Sequence, residues 1–230
     1  MTAAAPAPPT EPADMRRGGR MDFRLLLSLV VLVVIAGGVA LLTAGGSSSP
    51  ASRAQARHAN FDAQALLSPV APAPPLALRN YLGQPVNIAS YRGKAVLVTF
   101  LYTHCPDVCP LITANLHNAQ TLMGAAVSSK VQIIAVSVDP RGDTPKAVST
   151  FLARHEMTGH MQYLIGSASQ LARVWKSWGV GSEQDVQQPQ FVNHSGLIYG
   201  ITASGKRMTI YAANFTPKEV AHDVPLLASR

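Results

Sequence analysis

Residues 94–124 read KAVLVTFLYTHCPDVCPLITANLHNAQTLMG, and the change of pattern within them sets the fold class. The stretch 94–102 is apolar at nearly every place rather than at alternate ones, which marks a strand buried on both faces of a sheet. From Pro110 onward, Ile112, Leu116, Ala119 and Met123 recur at helical spacing, and Gly124 supplies a stop. Between strand and helix lie Cys105 and Cys109, the only two cysteines of the chain. A buried strand feeding a helix through a short loop is the building unit of an α/β sheet, where function gathers at the carboxyl ends of the strands.

The alternation continues downstream. VQIIAVSVDP at 131–140 is a second buried strand, ended by Asp139-Pro140. Thr144 reads as an N-cap with Pro145 at the first helical position, opening PKAVSTFLARHEM. MQYLI at 161–165 is a short strand, and Ser167 with Gln170 forms a capping box for ASQLARVWKSWG. Leu171, Val174, Trp175 and Trp178 share one face of that helix, so the tryptophans read as core residues. HSGLIYGITASGKRMTIYAA predicts a hairpin turning at Ser204-Gly205, and Thr216 with Glu219 opens a last helix, PKEVAHDVPLLAS. Upstream, LALRNYLGQPVNIASYRG reads as strand-like pieces around turns. The order predicts an α/β domain with a central mixed sheet flanked by helices, compatible with a thioredoxin-like fold.

The N-terminal part is of another kind. LLLSLVVLVVIAGGVALLTA at 25–44 is uncharged for 20 residues. As a helix it spans about 30 Å, the thickness of a bilayer's hydrocarbon core. Arg16, Arg17, Arg20 and Arg24 precede it, so the positive-inside rule keeps the N-terminus cytoplasmic and exports the chain beyond residue 44. The run is longer than a usual signal-peptide core, which favours an uncleaved anchor, and the tail lacks an amphipathic Arg-rich helix, unlike a mitochondrial transit peptide. These features predict a single-pass protein of a bacterial inner membrane with a periplasmic C-terminal domain. The expected partition is a cytoplasmic tail 1–24, an anchor 25–44, a Gly/Ser/Ala/Pro-rich flexible linker 45–69 and a folded domain 70–230. The whole chain carries a net charge of +7, but the basic residues after residue 52 are scattered rather than clustered and no nucleic-acid-binding signature occurs, so no nucleic-acid partner is expected.

The thiols admit three uses: redox exchange, metal binding, or a staple. At the N-terminus of a helix, exposed N–H groups and the dipole favour thiolate, so both are candidates for activation, and Asp107 between them reads as an N-cap. C-x-x-x-C is one residue wider than the exchange motif C-x-x-C, and spacing alone does not separate electrons from metal. A bridge closing three residues would restrict the unfolded chain little, which argues against a staple. A metal needs a third ligand, and His194 in QFVNHSGLIYG stands just before a strand that an α/β sheet can bring near the loop. His104 reads as a neighbour that tunes the thiolates. His58 falls in the linker, and His117, His155, His160 and His222 fall on helices or their ends without paired metal spacing. Periodicity alone makes His194 more often structural than ligating. If it does join the cysteines, two thiolates and an imidazole form a soft set that suits Cu(I), while a structural zinc site wants a fourth protein ligand.

At this point YRGKAVLVTFLYTHCPDVCP, VSVDPRGDTP, VNHSGLIYG and FTPKEVAHDV, in that order, resemble the Sco/SenC copper-binding proteins that assist assembly of cytochrome c oxidase. The resemblance runs from about Leu76 to the C-terminus. It implies a thioredoxin-like domain in which Cys105, Cys109 and His194 bind copper, as Cu(I) and also as Cu(II). It also implies delivery of copper, or of reducing equivalents, to the dinuclear copper site of oxidase subunit II, with another periplasmic copper carrier as a further partner. Two places depart from the family's pattern: Asn193 stands where an acidic residue often precedes the histidine, and Arg141-Gly142 replaces a commoner charged pair. The first implies weaker Cu(II) binding or client recognition with the ligand set intact.

Three functions then compete. A copper metallochaperone, not an enzyme in the strict sense, needs all three residues. A thiol-disulfide reductase keeping the client's cysteines reduced needs Cys105 and Cys109 as its redox pair and has no direct need of His194. A peroxidase on a related fold is disfavoured, because such sites resemble one another in a Thr or Ser three positions before the reactive cysteine, where Tyr102 stands here.

Overall fold

A computed structural model of the chain describes residues 60–184, 192–194 and 196–230, with Ser182–Gln184 and Val192–His194 described by their backbone. The tail, the apolar run 25–44 and the linker up to residue 59 lie outside the described residues. Among the described residues no helix is long and apolar enough to cross a membrane.

The run around Leu97 becomes β4 (Ala95–Leu101), buried at every position, as a strand covered on both faces requires. It pairs in parallel with β5 (Val131–Ser137), which pairs in parallel with β6 (Met161–Ile165). On the other side of β4 lies β9 (Ile198–Ile201), antiparallel, then β10 (Lys206–Tyr211) and β1 (Ala65–Pro72). Beyond β6 come β2 (Ala77–Asn80) and β3 (Pro85–Asn87), and the full order is β1-β10-β9-β4-β5-β6-β2-β3. The β9–β10 hairpin turns at Gly205, held at φ 75. A separate two-stranded ribbon joins β7 (Ser182–Gln184) to β8 (Val192–His194).

Four helices complete the described domain: α1 (Val108–Ser128), α2 (Pro145–Arg154), α3 (Ala168–Trp178) and α4 (Pro217–Ala228). Thr144 caps α2, and both capping boxes form, Ser167 with Gln170 and Thr216 with Glu219. Successive strand residues point to opposite faces. Tyr199 meets Trp178 of α3, whereas a Cβ at Gly200 would come within 2.8 Å of Leu227 of α4, so α3 and α4 cover opposite faces. Helix α1 packs against α4. Trp178 is buried with Phe100 and Tyr199 around it, and Trp175 donates to the Ser137 carbonyl at 3.0 Å, so both tryptophans are structural.

Two expectations need correction. Gly124 leaves helical geometry, at φ 66 and ψ 172, yet α1 resumes and ends at Ser128, because Gly can take the left-handed φ without a Cβ clash. The folded region also begins before residue 70. Phe61 packs on the core, and β1 starts at Ala65, with Asp62 and Ala63 amides bonded to the Asp223 carboxylate at 2.8 and 3.0 Å. Composition groups 60–69 with the linker because an edge strand rich in Ala, Ser and Pro carries no apolar period.

Candidate metal centre

Strand β4 ends at Leu101, and the chain must turn there to enter α1. Asp107 makes that entry: its carboxylate accepts from the Val108 N–H at 2.5 Å, the N-cap position expected of it. Cys105 sits in the turn, 8% exposed, and Cys109 in the first turn of α1, fully buried. The Cys109 N–H donates to the Cys105 sulfur at 3.3 Å, so the helix's free N-terminal amides are aimed at that sulfur. Thr113 Oγ1 donates to the Cys109 carbonyl at 2.7 Å and fixes the same turn.

The two thiols are not joined in a disulfide, and they titrate apart. Cys105 is pulled down to about 6, first because the Cys109 thiol donates to its sulfur, then through backbone N–H groups of Cys109 and Asp107 and the Tyr102 side chain, all against burial. Cys109 is pushed up, because its proton is the one shared with Cys105, because it is buried, and because Cys105 carries negative charge. The pair therefore holds one thiolate and one thiol near neutral pH.

Behind the loop lies a carboxylate that sequence reasoning passed over as a site residue. Asp143, 4% exposed, accepts from the Thr103 N–H at 2.8 Å, from Ser137 Oγ at 2.6 Å and from the Tyr163 hydroxyl at 3.0 Å. Burial pushes its carboxyl up against those hydrogen bonds. The signal in the sequence was an Asp directly before a Thr-Pro helix start, where a solvated residue is equally common. His104 is exposed, its Nδ1 3.1 Å from Thr103 Oγ1, and it shares space with Gly142, where a Cβ would lie 3.0 Å from that nitrogen.

Of the three predicted ligands, the structure brings Cys105 and Cys109 together and places His194 by its backbone, at the end of β8 opposite Ser182. Its side chain lies outside the described residues. The chain just past it runs beside the thiol helix: a Cβ at Gly196 would be 3.5 Å from Ile112 and 3.8 Å from Val108. Leu197 then accepts from Thr99 Oγ1 on β4 at 3.2 Å. The segment that follows His194 is thus held beside α1 and β4. Two sulfur donors side by side, one held as thiolate, fit a soft metal such as copper.

One further group of ligand-type atoms occurs among the described residues, Asp62, His222 and Asp223, within 4.8 Å of one another. Both Asp223 oxygens are already engaged, by the amides of Asp62 and Ala63, the Tyr211 hydroxyl at 2.9 Å and His222 Nδ1 at 2.9 Å. That group ties the start of the fold to α4.

Comparison with known proteins gives a consistent result. The bovine (Bos taurus) mitochondrial SCO2 homolog is 29% identical over 152 residues, 64% of this chain and 56% of that protein. The chain spans between about half and three fifths of the length of the first curated relatives it matches. The structure of Bradyrhizobium japonicum ScoI with copper bound superposes with a TM-score of 0.61 at 31% identity, covering 68% of this chain and 99% of that one. A structure of BsSco, described as a member of the Sco family of cytochrome c oxidase assembly proteins with a disulfide switch, gives 0.59 at 25% identity, covering 72% and 99%. Residues 69–229, well over half of the sequence and including both thiols and the His194 segment, match the SCO1/SenC family, and the chain belongs to it.

Proposed function

We propose that this protein is a membrane-anchored copper metallochaperone that holds copper through Cys105, Cys109 and His194 and delivers it to the dinuclear copper site of cytochrome c oxidase subunit II. The observation that carries the reading is the thiol pair at the N-terminus of α1, with Cys105 held as thiolate by the Cys109 N–H and thiol. Copper is cargo here. Two sulfurs and one imidazole suit Cu(I), and a three-ligand set without a closed tetrahedral cage leaves the ion exchangeable. Cu(II) would be held by the same residues. The copper-bound relative and the oxidase-assembly description of BsSco support the carry-over.

The mixed sheet with α1 rising from the thiol loop supports a thioredoxin-like domain. The run 25–44 with its preceding arginines supports a single-pass inner-membrane protein, cytoplasmic at its N-terminus and periplasmic beyond residue 44, fed by another periplasmic copper carrier. In the test, the reduced full-length chain in detergent is titrated with Cu(I): about one copper per chain is expected on the single ligand set. Unchanged binding in His194→Ala sinks the three-ligand site. Transfer to an apo subunit II fragment then tests delivery, and protease protection in membrane vesicles tests the topology.

A second reading, a thiol-disulfide reductase, is favoured by one observation: the two thiols lie side by side without a disulfide, the Cys109 N–H on the Cys105 sulfur, which favours its thiolate. The Cys105 thiolate would attack a client disulfide, and Cys109, losing its proton, would displace the mixed bond. The client gains two electrons, one sulfur taking the Cys109 proton and the other leaving as thiolate to be protonated by water, and Cys105 and Cys109 become a disulfide. A redox titration decides it: a couple too oxidising to reduce the client's disulfide ends this reading.

A further inference from the structure

We propose that Asp143 is the positioning residue of the thiol loop, a buried carboxylate that ties the segment leading into Cys105 to the ends of the two neighbouring strands. Main-chain pairing between β4 and β5 runs as far as Leu101 and Ser137, with the Val138 N–H still donating to the Leu101 carbonyl at 2.9 Å. Beyond that point the segment 102–104 diverges from β5. The Thr103 N–H, two residues before Cys105, goes to Asp143 Oδ1 instead. The other carboxylate oxygen accepts from Ser137 at the end of β5 and from Tyr163 on β6, both fully buried. Asp143 is itself held, its N–H donating to the Asp139 carbonyl at 3.0 Å. One side chain therefore joins the cysteine loop to two strands across the sheet.

The consequence concerns the sulfurs. Cys105 receives the Cys109 N–H only while its turn keeps its height above the first turn of α1, and the Thr103 amide is a hinge of that turn. Without the carboxylate, three donors, two of them fully buried, lose their acceptor together, and such groups seek new partners by moving the backbone. The reduced, pre-organised dithiol would be the state that loses most. The inference deepens the reading of the site given above and rests on it for the copper measurement alone.

The test uses the full-length chain with Asp143→Ala, Asp143→Asn and Asp223→Ala. Asn keeps the shape and one carbonyl acceptor for Thr103, while Ser137 and Tyr163 hydroxyls can turn to accept from its amide. Asp223 is a matched control, a buried carboxylate on α4 with four hydrogen-bond partners, Asp62, Ala63, Tyr211 and His222, none of them in the thiol loop. Two quantities are read in folded protein: the Cys105–Cys109 thiol-disulfide equilibrium against glutathione, and the Cu(I) dissociation constant. Asp143→Ala should shift the first toward disulfide by at least tenfold and raise the second at least tenfold. Asp143→Asn should return both to within threefold of wild type, and Asp223→Ala should leave both within threefold while lowering the melting temperature. Thiol and copper values unchanged in Asp143→Ala, or moved equally by Asp223→Ala, overturn the proposal. If Asp143→Ala does not fold, Ser137→Ala with Tyr163→Phe strips the two inner donors and leaves the carboxylate. A wild-type thiol equilibrium there overturns it as well. Wild-type protein that binds no Cu(I), with a thiol equilibrium still moved only by Asp143→Ala, would end the copper reading and leave the positioning role standing.

Discussion

Replacing Cys109 by alanine removes the first-ranked support of the Cys105 thiolate while sparing the backbone N–H that also points at it, which separates two contributions a static view merges. In wild type, Cys105 titrates near 6. At pH 7 such a thiol is about nine-tenths thiolate, against about 3% for a free cysteine titrating near 8.5. In Cys109→Ala the thiol donor is gone and burial, which favours the neutral form, is opposed only by the backbone donors and Tyr102. The midpoint should climb by at least one pH unit, so at pH 6 the thiolate fraction falls from about one half to about one tenth and alkylation slows about fivefold. The assay is the pH profile of iodoacetamide modification of Cys105 in the copper-free reduced chain, followed by mass spectrometry. The sign is fixed by the acid's direction: reactivity rises with pH through the midpoint, and the variant's curve lies to the alkaline side. A variant profile superimposed on wild type would mean that the Cys109 thiol does not support the thiolate, and a wild-type midpoint near 8.5 that Cys105 is not activated at all.

Other outcomes follow from the packing. Gly200→Ala places a Cβ against Thr209 Oγ1 and Leu227 under α4, so thermal unfolding should show a loss of about 1–3 kcal/mol, roughly 2–12 °C. Gly142→Ala drives a Cβ into the Asp139 carboxylate, which holds the Arg141 and Gly142 amides, and against His104; it should cost a similar amount and displace the His104 ring, visible in its imidazole proton shifts. His222 is raised by its hydrogen bond to Asp223 and the charge of Asp62, so its stabilisation is complete below about pH 6.5 and declines as pH rises through the folded value. Cys105 works the opposite way, its contribution growing as pH rises above 6. The difference in melting temperature between wild type and His222→Gln should therefore be small and positive at pH 5.5 and shrink by pH 8, and a constant difference would contradict it.

Much of the fold was legible because its signals are local. A run such as AVLVTFL cannot be solvated on either face, and a Thr-Pro or Ser-x-x-Gln start satisfies helix amides within four residues, so β4, β5, β6 and the caps at Thr144, Ser167 and Thr216 stand where periodicity predicts them. The strand β1 was not legible, because Ala65–Pro72 gains its place only by pairing with β10, some 140 residues along the chain. Gly124 was half legible: its dihedral freedom is local, while the continuation of α1 beyond it depends on what the helix packs against.

At the site, the two thiols, their place between a buried strand and a helix start, and the Asp107 cap were legible locally, since each follows from residue type within a few positions. It took the assembled sheet to show that Asp143 rather than a surface water holds the Thr103 amide, and that the segment after His194 runs beside Val108 and Ile112. The reason is distance along the chain. A hydrogen bond or contact between residues 40 to 90 positions apart leaves no local period, and it exists only once the sheet has brought the strand ends to one edge.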